Sequence, residues 1–456
     1  MSSEILGLVL LVALLTGIFV GFPIAFTLII LGIVFGWIGF GETVFFQMVF
    51  QTIGMMKEEV LAAVPLFIFM GHVLERAGLM ERLFTSFQSI MGGLRGSLYL
   101  GVLFTATIFA TATGIIGASV TVMGLLAAPA MTRSGYDQRM SAGVITAGGC
   151  LGILIPPSVL LVVLGPVLGV SVIHLFAAAI VPGIILSGLY ISYTIIRCLI
   201  NPELGPPIPP EQRLTSGWAI FKEFISGVVP MAVIIFAALG SIIIGLATPT
   251  EAAAMAAVGS LALALGYRRL NWKMLKEAAL NTLETSSLVL FLAVASNVYG
   301  SVFTRLGTGT MLANWLLEIP MPPLAMLAVL MVVLFLLGWP LEWPAIVFIF
   351  VPIFLPVIIS LGSDLPALGI DESWADKMRV PHLVWFGTLL AVNLQTAFLS
   401  PPVAMAAYYL KSVAPQWDLL KIYGGMFDFM MLQCVGLAIV FFIPEVALWL
   451  PSVLFK

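Results

Sequence analysis

Charge is what this chain has least of. Only 9% of its 456 residues are Asp, Glu, Lys or Arg, against about a quarter in a typical soluble domain. The net charge of −3 comes without a basic patch, which leaves nothing to hold a nucleic-acid backbone. Cysteine is almost absent. Cys150, Cys198 and Cys434 stand far apart in apolar surroundings, without the paired spacing of a redox or transition-metal site, and read as packing residues. Histidine is as scarce: His72 reads as packed or interfacial, and His174 and His382 lie near segment ends. No His-Glu-x-x-His, Gly-x-Ser-x-Gly or Gly-x-x-x-x-Gly-Lys-Ser/Thr string occurs, so the metalloprotease, serine-hydrolase and P-loop nucleotide classes have no support. The chain does not read as an enzyme, and no residue is assigned a catalytic role.

What is there is hydrocarbon. Hydrophobic residues make up 61% of the chain, in thirteen apolar stretches from 5–20 to 425–449; roughly 20 such residues cross a bilayer. The fold class is an all-α polytopic membrane protein, embedded in lipid. The first stretch follows Met-Ser-Ser-Glu with no basic run before it and no small-residue cleavage site, and is read as a mature helix rather than a signal peptide. If residue 1 is outside, Lys57, Arg305, Lys377, Arg379 and Lys456 fall outside, and the other fourteen of the 19 basic residues fall inside. That is the bias of cytoplasmic loops. It holds only if two segments, 104–131 and about 325–361, enter and return on one side as re-entrant hairpins, one from each face.

Proline supplies the sharpest signal. Gly148-Gly149-Cys150-Leu151-Gly152-Ile153-Leu154-Ile155-Pro156-Pro157-Ser158 lies in one half of the chain, and Asn393-Leu394-Gln395-Thr396-Ala397-Phe398-Leu399-Ser400-Pro401-Pro402 in the other. Proline has no N–H and clashes with the carbonyl four residues back. Each pair therefore frees carbonyls, those of Gly152 and Ile153 and those of Ala397 and Phe398. Broken backbone at membrane depth needs protein or a water-filled cavity beside it. A matched pair of broken segments points to a transporter's binding site. The order of parts repeats: a helix ending at Arg76 or Arg305, a hairpin closing at Pro129 or Pro356, then the break. This gives an inverted repeat with two re-entrant hairpins and two broken helices, divided into 1–60 (scaffold helices and an interfacial helix over 43–60), 61–200 (first repeat), 201–285 (proline-rich linker, central helices and a basic interfacial arm at 267–276) and 286–456 (second repeat). The linker 201–210 reads as a stiff spacer.

Hydroxyls and glycines gather where the chain turns. Thr111, Thr113, Gly114, Gly117 and Ser119 mark the first tip, with Gly149 and Gly152 opposite. Gly338 and Glu342 mark the second, with Thr396, Ala397 and Ser400 at its break. Neutral oxygens of this kind suit a hard cation such as Na⁺, although small residues also let membrane helices pack closely. Glu342 is an acid at membrane depth; it can ligate a cation, relay a proton or brace the tip. Glu251 follows Pro249 at a helix start and reads as structural. No Lys or Arg lies near either break or tip. An anion would then be held by Ser119, Ser158, Gln395, Thr396 and the half-helix starts after Pro156-Pro157 and Pro401-Pro402, with cations bound beside it. Without a nucleotide site, transport would run on an ion gradient or on help from another subunit. A self-sufficient Na⁺- or H⁺-coupled carboxylate carrier and, less well, an ion channel fit the same residues.

These strings resemble the large membrane subunit, the DctM-like subunit, of the tripartite ATP-independent periplasmic (TRAP) transporters over nearly the whole chain. The matching residues are Val64-Pro65-Leu66-Phe67-Ile68-Phe69-Met70-Gly71, Gly152-Ile153-Leu154-Ile155-Pro156-Pro157-Ser158, Ala247-Thr248-Pro249-Thr250-Glu251-Ala252-Ala253-Ala254, Leu337-Gly338 with Glu342, and Ser400-Pro401-Pro402-Val403. The resemblance implies an elevator-type fold and Na⁺ as coupling ion. It also implies a small four-helix membrane partner (Q-type), a periplasmic substrate-binding protein (P-type) that delivers an organic acid, and residence in a bacterial inner membrane. Two departures stand out: a first tip with fewer serines than many members, and a second tip crowded by Trp339, Pro340 and Trp343.

Overall fold

The structure is a computed structural model that describes residues 2–114, 116–207, 217–339, 341–401 and 404–455. Among the described residues the regular elements are helices, with no strand. The chain opens with Ser3–Val20 (α1), Ile24–Phe40 (α2) and Thr43–Met56 (α3), then a 3₁₀ turn, Glu59–Ala62, leading into Ala63–Arg76 (α4) and Leu79–Met91 (α5). Next come Ser97–Thr113 (α6), Ile116–Arg133 (α7), Gln138–Cys150 (α8), Val159–Leu168 (α9) and Val172–Ile200 (α10). The middle holds Gly217–Ile243 (α11), Pro249–Gly266 (α12), Trp272–Arg305 (α13) and Thr308–Glu318 (α14). Pro323–Leu337 (α15) follows. Trp343–Ala345 (α16) then runs through a π-helical turn, Ile346–Phe350, into Val351–Leu361 (α17). Ser373–Met378 (α18), Pro381–Leu399 (α19), Met405–Val413 (α20), Leu419–Phe442 (α21) and Glu445–Leu454 (α22) complete it. Nine helices among the described residues are long and apolar enough to cross a membrane, or ten if the 60° bend between 59–76 and 79–91 lies within one span.

Local chemistry sets these boundaries. Gly78 (φ +76°) and Gly307 (φ +82°) take the left-handed conformation before α5 and α14, a turn that costs glycine little. They sit in Arg76-Ala77-Gly78 and Arg305-Leu306-Gly307, so the same turn follows the same arginine in both halves. Ser171 and Asp418 cap α10 and α21 through the N–H groups of Ile173 and Leu420. The element order from α4 to α10 thus runs parallel to that from α13 to α21, apart from the added α18. Thr248 and Glu251 form a reciprocal capping box at the start of α12, which satisfies two of the donors a helix start leaves open. Glu251 is structural, as its sequence position implies.

Packing sorts the helices into two groups. α13 packs on both α2 and α4, α12 packs on α4, and α11 packs on α12. In the other group α8 packs on α6, α7 and α21, and α19 packs on α21, α10 and α15. The whole of α19 is buried, whereas Phe19 and Trp37 of α1 and α2 are turned outward, as lipid-facing apolar side chains are. Helix ends that the charge pattern put on one side do meet: Arg76 pairs with Glu277, Arg139 Nη2 lies 2.7 Å from Asp428 Oδ1, and Arg305 Nη1 donates to Gln47 Oε1 at 3.2 Å.

Two expectations change here. Residues 272–276 are not a separate interfacial helix but the first turns of α13, whose 34 residues extend about 51 Å at 1.5 Å each. The boundary expected at 285 falls inside this helix. The linker is more than a spacer: the Leu204 carbonyl accepts from Tyr99 Oη at 2.6 Å and from the Asp137 N–H at 3.0 Å, and the Gly205 carbonyl accepts from the Gly96 N–H at 2.8 Å. It therefore ties the start of α6 to the start of α8, which follows α7, so segment 97–133 returns to the place it left. Residues 208–210 lie outside the described part.

Candidate functional site

The first break is built by hydrogen-bond necessity. α8 ends at Cys150, a 3₁₀ turn takes Leu151–Ile153, and the Pro156–Pro157 peptide is cis. Ser158 is extended (φ −118°, ψ 131°) and opens α9, where the Val162 N–H reaches its carbonyl at 3.1 Å. A buried carbonyl without a partner is costly, and the Ser158 hydroxyl donates to the Ile153 carbonyl. That carbonyl and that hydroxyl, expected to face an ion and an anion, are thus bonded to each other in a fully buried position.

The second break follows a different course. Thr396 donates to the Asn393 carbonyl, and Ser400 to the Thr396 carbonyl at 2.6 Å and toward Met430 Sδ at 3.0 Å. Gln395, expected at the substrate, faces Gln433 of α21 at 3.3 Å. Past the break Ala404 has φ +28°, a strained value for a side-chain-bearing residue. Pro401 is a turn residue; Pro402, like Pro340 and Ile115, lies outside the described residues, as does the side chain of Thr113.

The glycines divide by role. A Cβ on Gly149 would fall 2.4 Å from Val120, and one on Gly143 2.5 Å from the Gly425 carbonyl. These positions serve close approach of α8 to α7 and α21, the packing use of small residues. Gly152 is buried in the 3₁₀ turn. At the tips, Gly114 (φ +60°) lies against Val159, Gly117 against the Tyr409 ring, and Gly338 against Ala397. Each tip therefore touches a break. Thr111 bonds back to the Ile108 carbonyl at 2.6 Å, and Ser119 is buried in α7. Gly149→Val should lower stability by about 1–3 kcal/mol through overpacking, read as an earlier thermal transition in detergent.

A cavity of about 160 Å³ draws the pieces together. Gly114 and Gly117 come from the first tip, Ile153 and Val159 from the first break, Glu342 and Trp343 from the second tip, and Phe398 from the second break. Tyr409 of α20, Ile68 of α4, and Thr285, Leu288 and Val289 of α13 close it. Glu342 also lines a second cavity, about 280 Å³, with Gly338, Trp339 and Ala397. Its backbone carbonyl accepts from Ile346 at 3.3 Å, and its side chain makes no capping bond to α16. Among the described residues no hydrogen bond braces the tip through this carboxylate, and Glu342 lines both cavities. Among the described residues no Lys or Arg lines either one. Among the described residues, no three of His, Cys, Asp and Glu come together as metal ligands.

Sequence reasoning missed Tyr409, Ile68 and Thr285. Tyr409, eight residues past Pro401 in a nine-residue half-helix, is a phenol in a short segment after a break, and could have been singled out on that ground. Ile68 lies in the Val64–Gly71 string but carries no polar mark. Trp343, one of the bulky residues of the second tip, is part of the cavity lining.

Known proteins agree with this architecture. The family model "Tripartite ATP-independent periplasmic transporter, DctM component" matches residues 8–446. The C4-dicarboxylate TRAP transporter large permease protein DctM of Pseudomonas aeruginosa is 31% identical over 393 residues, 86% of each chain. The sialic acid TRAP transporter large permease protein SiaM of Vibrio cholerae is 29% identical over 439 residues, 95% of this chain and 96% of its own. The 2,3-diketo-L-gulonate TRAP transporter large permease protein YiaN of Escherichia coli is 27% identical over 446 residues, covering 96% and 97%. In fold, the Alcanivorax borkumensis YdaH transporter, described as having an unusual topology, superposes with a TM-score of 0.61 at 14% identity, over 91% of this chain and 90% of its own. This chain is a multi-pass membrane protein and belongs to the DctM component family, the large permease subunits of the tripartite ATP-independent periplasmic transporters.

Proposed function

We propose that this subunit carries a small organic acid across the bacterial inner membrane together with Na⁺, by an elevator movement of its hairpin-bearing helices past α4 and α13. The observation that carries this is the cavity in which both tips and both breaks meet the central helices. Hairpin tips and breaks from both halves on one wall, with α4 and α13 on the other, are what alternating access about a fixed site uses. The three relatives named above transport C4-dicarboxylate, sialic acid and 2,3-diketo-L-gulonate, all acids, and the carboxylate class is inferred from them. The volume, below the roughly 300–1,000 Å³ of drug-sized ligand pockets, favours a compact acid. With no Lys or Arg on its walls, charge balance falls to the starts of α9 and α20 and to bound Na⁺, with Glu342 as an anionic ligand for the cation.

Uptake in proteoliposomes should fall by at least tenfold when outward-side Na⁺ is replaced by K⁺ or choline. Unchanged uptake would remove Na⁺ from the reading, and a pH-driven residue would turn Glu342 into a proton carrier.

We further infer a small four-helix membrane partner and a periplasmic binding protein that docks beside the acidic loop 364–376. Asp364 and Asp371 already cap local turns through the Ala367 and Ser373 N–H groups. The Ser373 bond holds the Asp371 carboxyl below its usual range. Glu372 and Asp376 are the acids left for contact. Full-rate uptake by membrane subunits alone would instead indicate a carrier that needs no binding protein.

A further inference from the structure

A larger cavity opens on the Arg305 end of α13, about 510 Å³ and sharing no residue with the transport cavity. One wall is a polar stripe: Ser296, Gly300 and Thr304 recur every four residues, as do Asn297, Ser301 and Arg305, so both rows lie on one helix face. Gln47 and Gln51 of α3 add amides from the side, and Pro166 and Phe348 supply an apolar wall opposite. Among the described residues Arg305 is the one charged residue of the lining. Among the described residues no carboxylate lies within ion-pair distance of it; its guanidinium rests 4.5 Å over the Phe40 ring and donates to Gln47. Ser296, 1% exposed, has a hydroxyl without a hydrogen-bond partner among the described residues. A buried polar atom left unpaired is costly, and here it lies against the cavity. Glu58 lines an adjoining cavity of about 170 Å³ beyond Gln51 and Met55, so the cationic end of the cavity is the Arg305 end.

We propose that this vestibule is a second binding site, for a small organic carboxylate, in which Arg305 pairs with the anion and Asn297, Thr304 and the glutamine amides hold its remaining oxygens. It rests on the transport reading above and adds an entry site to it. Along α13, Val289 of the transport cavity and Ser296 of the vestibule are seven residues apart, about 10 Å. Arg305 itself is sixteen residues from Val289, about 24 Å along α13, so an acid held there lies at the far end of the vestibule and reaches the tips by crossing it past Ser296. A cation at the mouth of a cavity also raises the local concentration of anions, which the transport cavity, lacking Lys and Arg, cannot do itself.

The test uses the full chain in native membrane vesicles, with its partner subunits where it has them. Ser301→Cys is labelled with an anionic and a cationic thiosulfonate of similar size, with each rate divided by that reagent's rate with a free thiol. The same chain without Ser301→Cys gives the background from Cys150, Cys198 and Cys434. The anionic reagent should be favoured at least tenfold; Arg305→Gln should abolish that preference and Arg305→Lys should keep it. In uptake, Arg305→Gln should raise the half-saturating acid concentration at least tenfold with little change in maximal rate. A preference absent, or unaltered by Arg305→Gln, overturns the site whether or not the chain transports. A normal preference with no Na⁺-driven uptake leaves the vestibule standing and overturns the transport reading instead. A normal preference with unaltered half-saturation in Arg305→Gln removes the vestibule from the entry path.

Discussion

Glu342→Gln should weaken the apparent Na⁺ affinity of uptake by at least tenfold and leave the amount and thermal stability of the protein nearly unchanged. The substitution keeps the shape of the side chain and the backbone bond from the Ile346 N–H to the Glu342 carbonyl. It removes no capping bond, because the side chain makes none. What it removes is the ionisable carboxyl that lines both tip cavities. A carboxylate at membrane depth is costly unless a counter-charge is close, and no Lys or Arg lines these cavities. Two unit charges 4 Å apart at an effective dielectric of 20 attract by about 4 kcal/mol, while tenfold in affinity is about 1.4 kcal/mol. A single lost ion contact is therefore ample for the predicted shift. Initial uptake rates measured against Na⁺ concentration decide the matter. A variant with the parent's half-saturation would show that Glu342 ligates no Na⁺. A variant with parental Na⁺ response but no pH response would make it a proton relay.

The helices and breaks were legible because their signals are local. Hydropathy reports a span, and paired prolines report a break, wherever the rest of the chain lies. Glu251 was equally legible, since a capping box spans four residues. What escaped the sequence depends on rotation and tertiary partners. Ser158 and Gln395 are polar residues beside the breaks, yet one bonds the Ile153 carbonyl and the other faces Gln433. A few tens of degrees about the helix axis decide whether such groups meet a ligand or each other. Tyr409 and Ile68 reach the cavity only because α20 and α4 pack where they do. The length of α13 was hidden by Lys273, Lys276 and Glu277, which interrupt the apolar run but are good helix formers; Arg76 then pairs with Glu277 to hold that polar end in place. The polar stripe from Ser296 to Arg305 was visible in the sequence, but only its cavity gives it a use.

The first break should prove the most sensitive point in the chain. Pro156 and Pro157 cannot donate to carbonyls four residues back, so α8 stops and Ser158 must satisfy the Ile153 carbonyl through its hydroxyl. Replacing both prolines by alanine restores two N–H donors and improves helix propensity by about 3 kcal/mol at each position. α8 would then run on through 151–157, and Ile153 and Val159 would leave the wall of the transport cavity. We expect Na⁺-dependent uptake to drop to background in Pro156→Ala/Pro157→Ala, with a thermal transition equal to or above the parent's. Ser158→Ala separates the two effects. It leaves the break in place but strips the Ile153 carbonyl of its donor, at a cost of about 1–3 kcal/mol, so stability should fall while uptake per folded molecule persists. A folded double variant with normal Na⁺-dependent uptake would show that the break only shapes packing. A double variant that fails to fold would show that the prolines hold the fold itself, against the expected gain in stability.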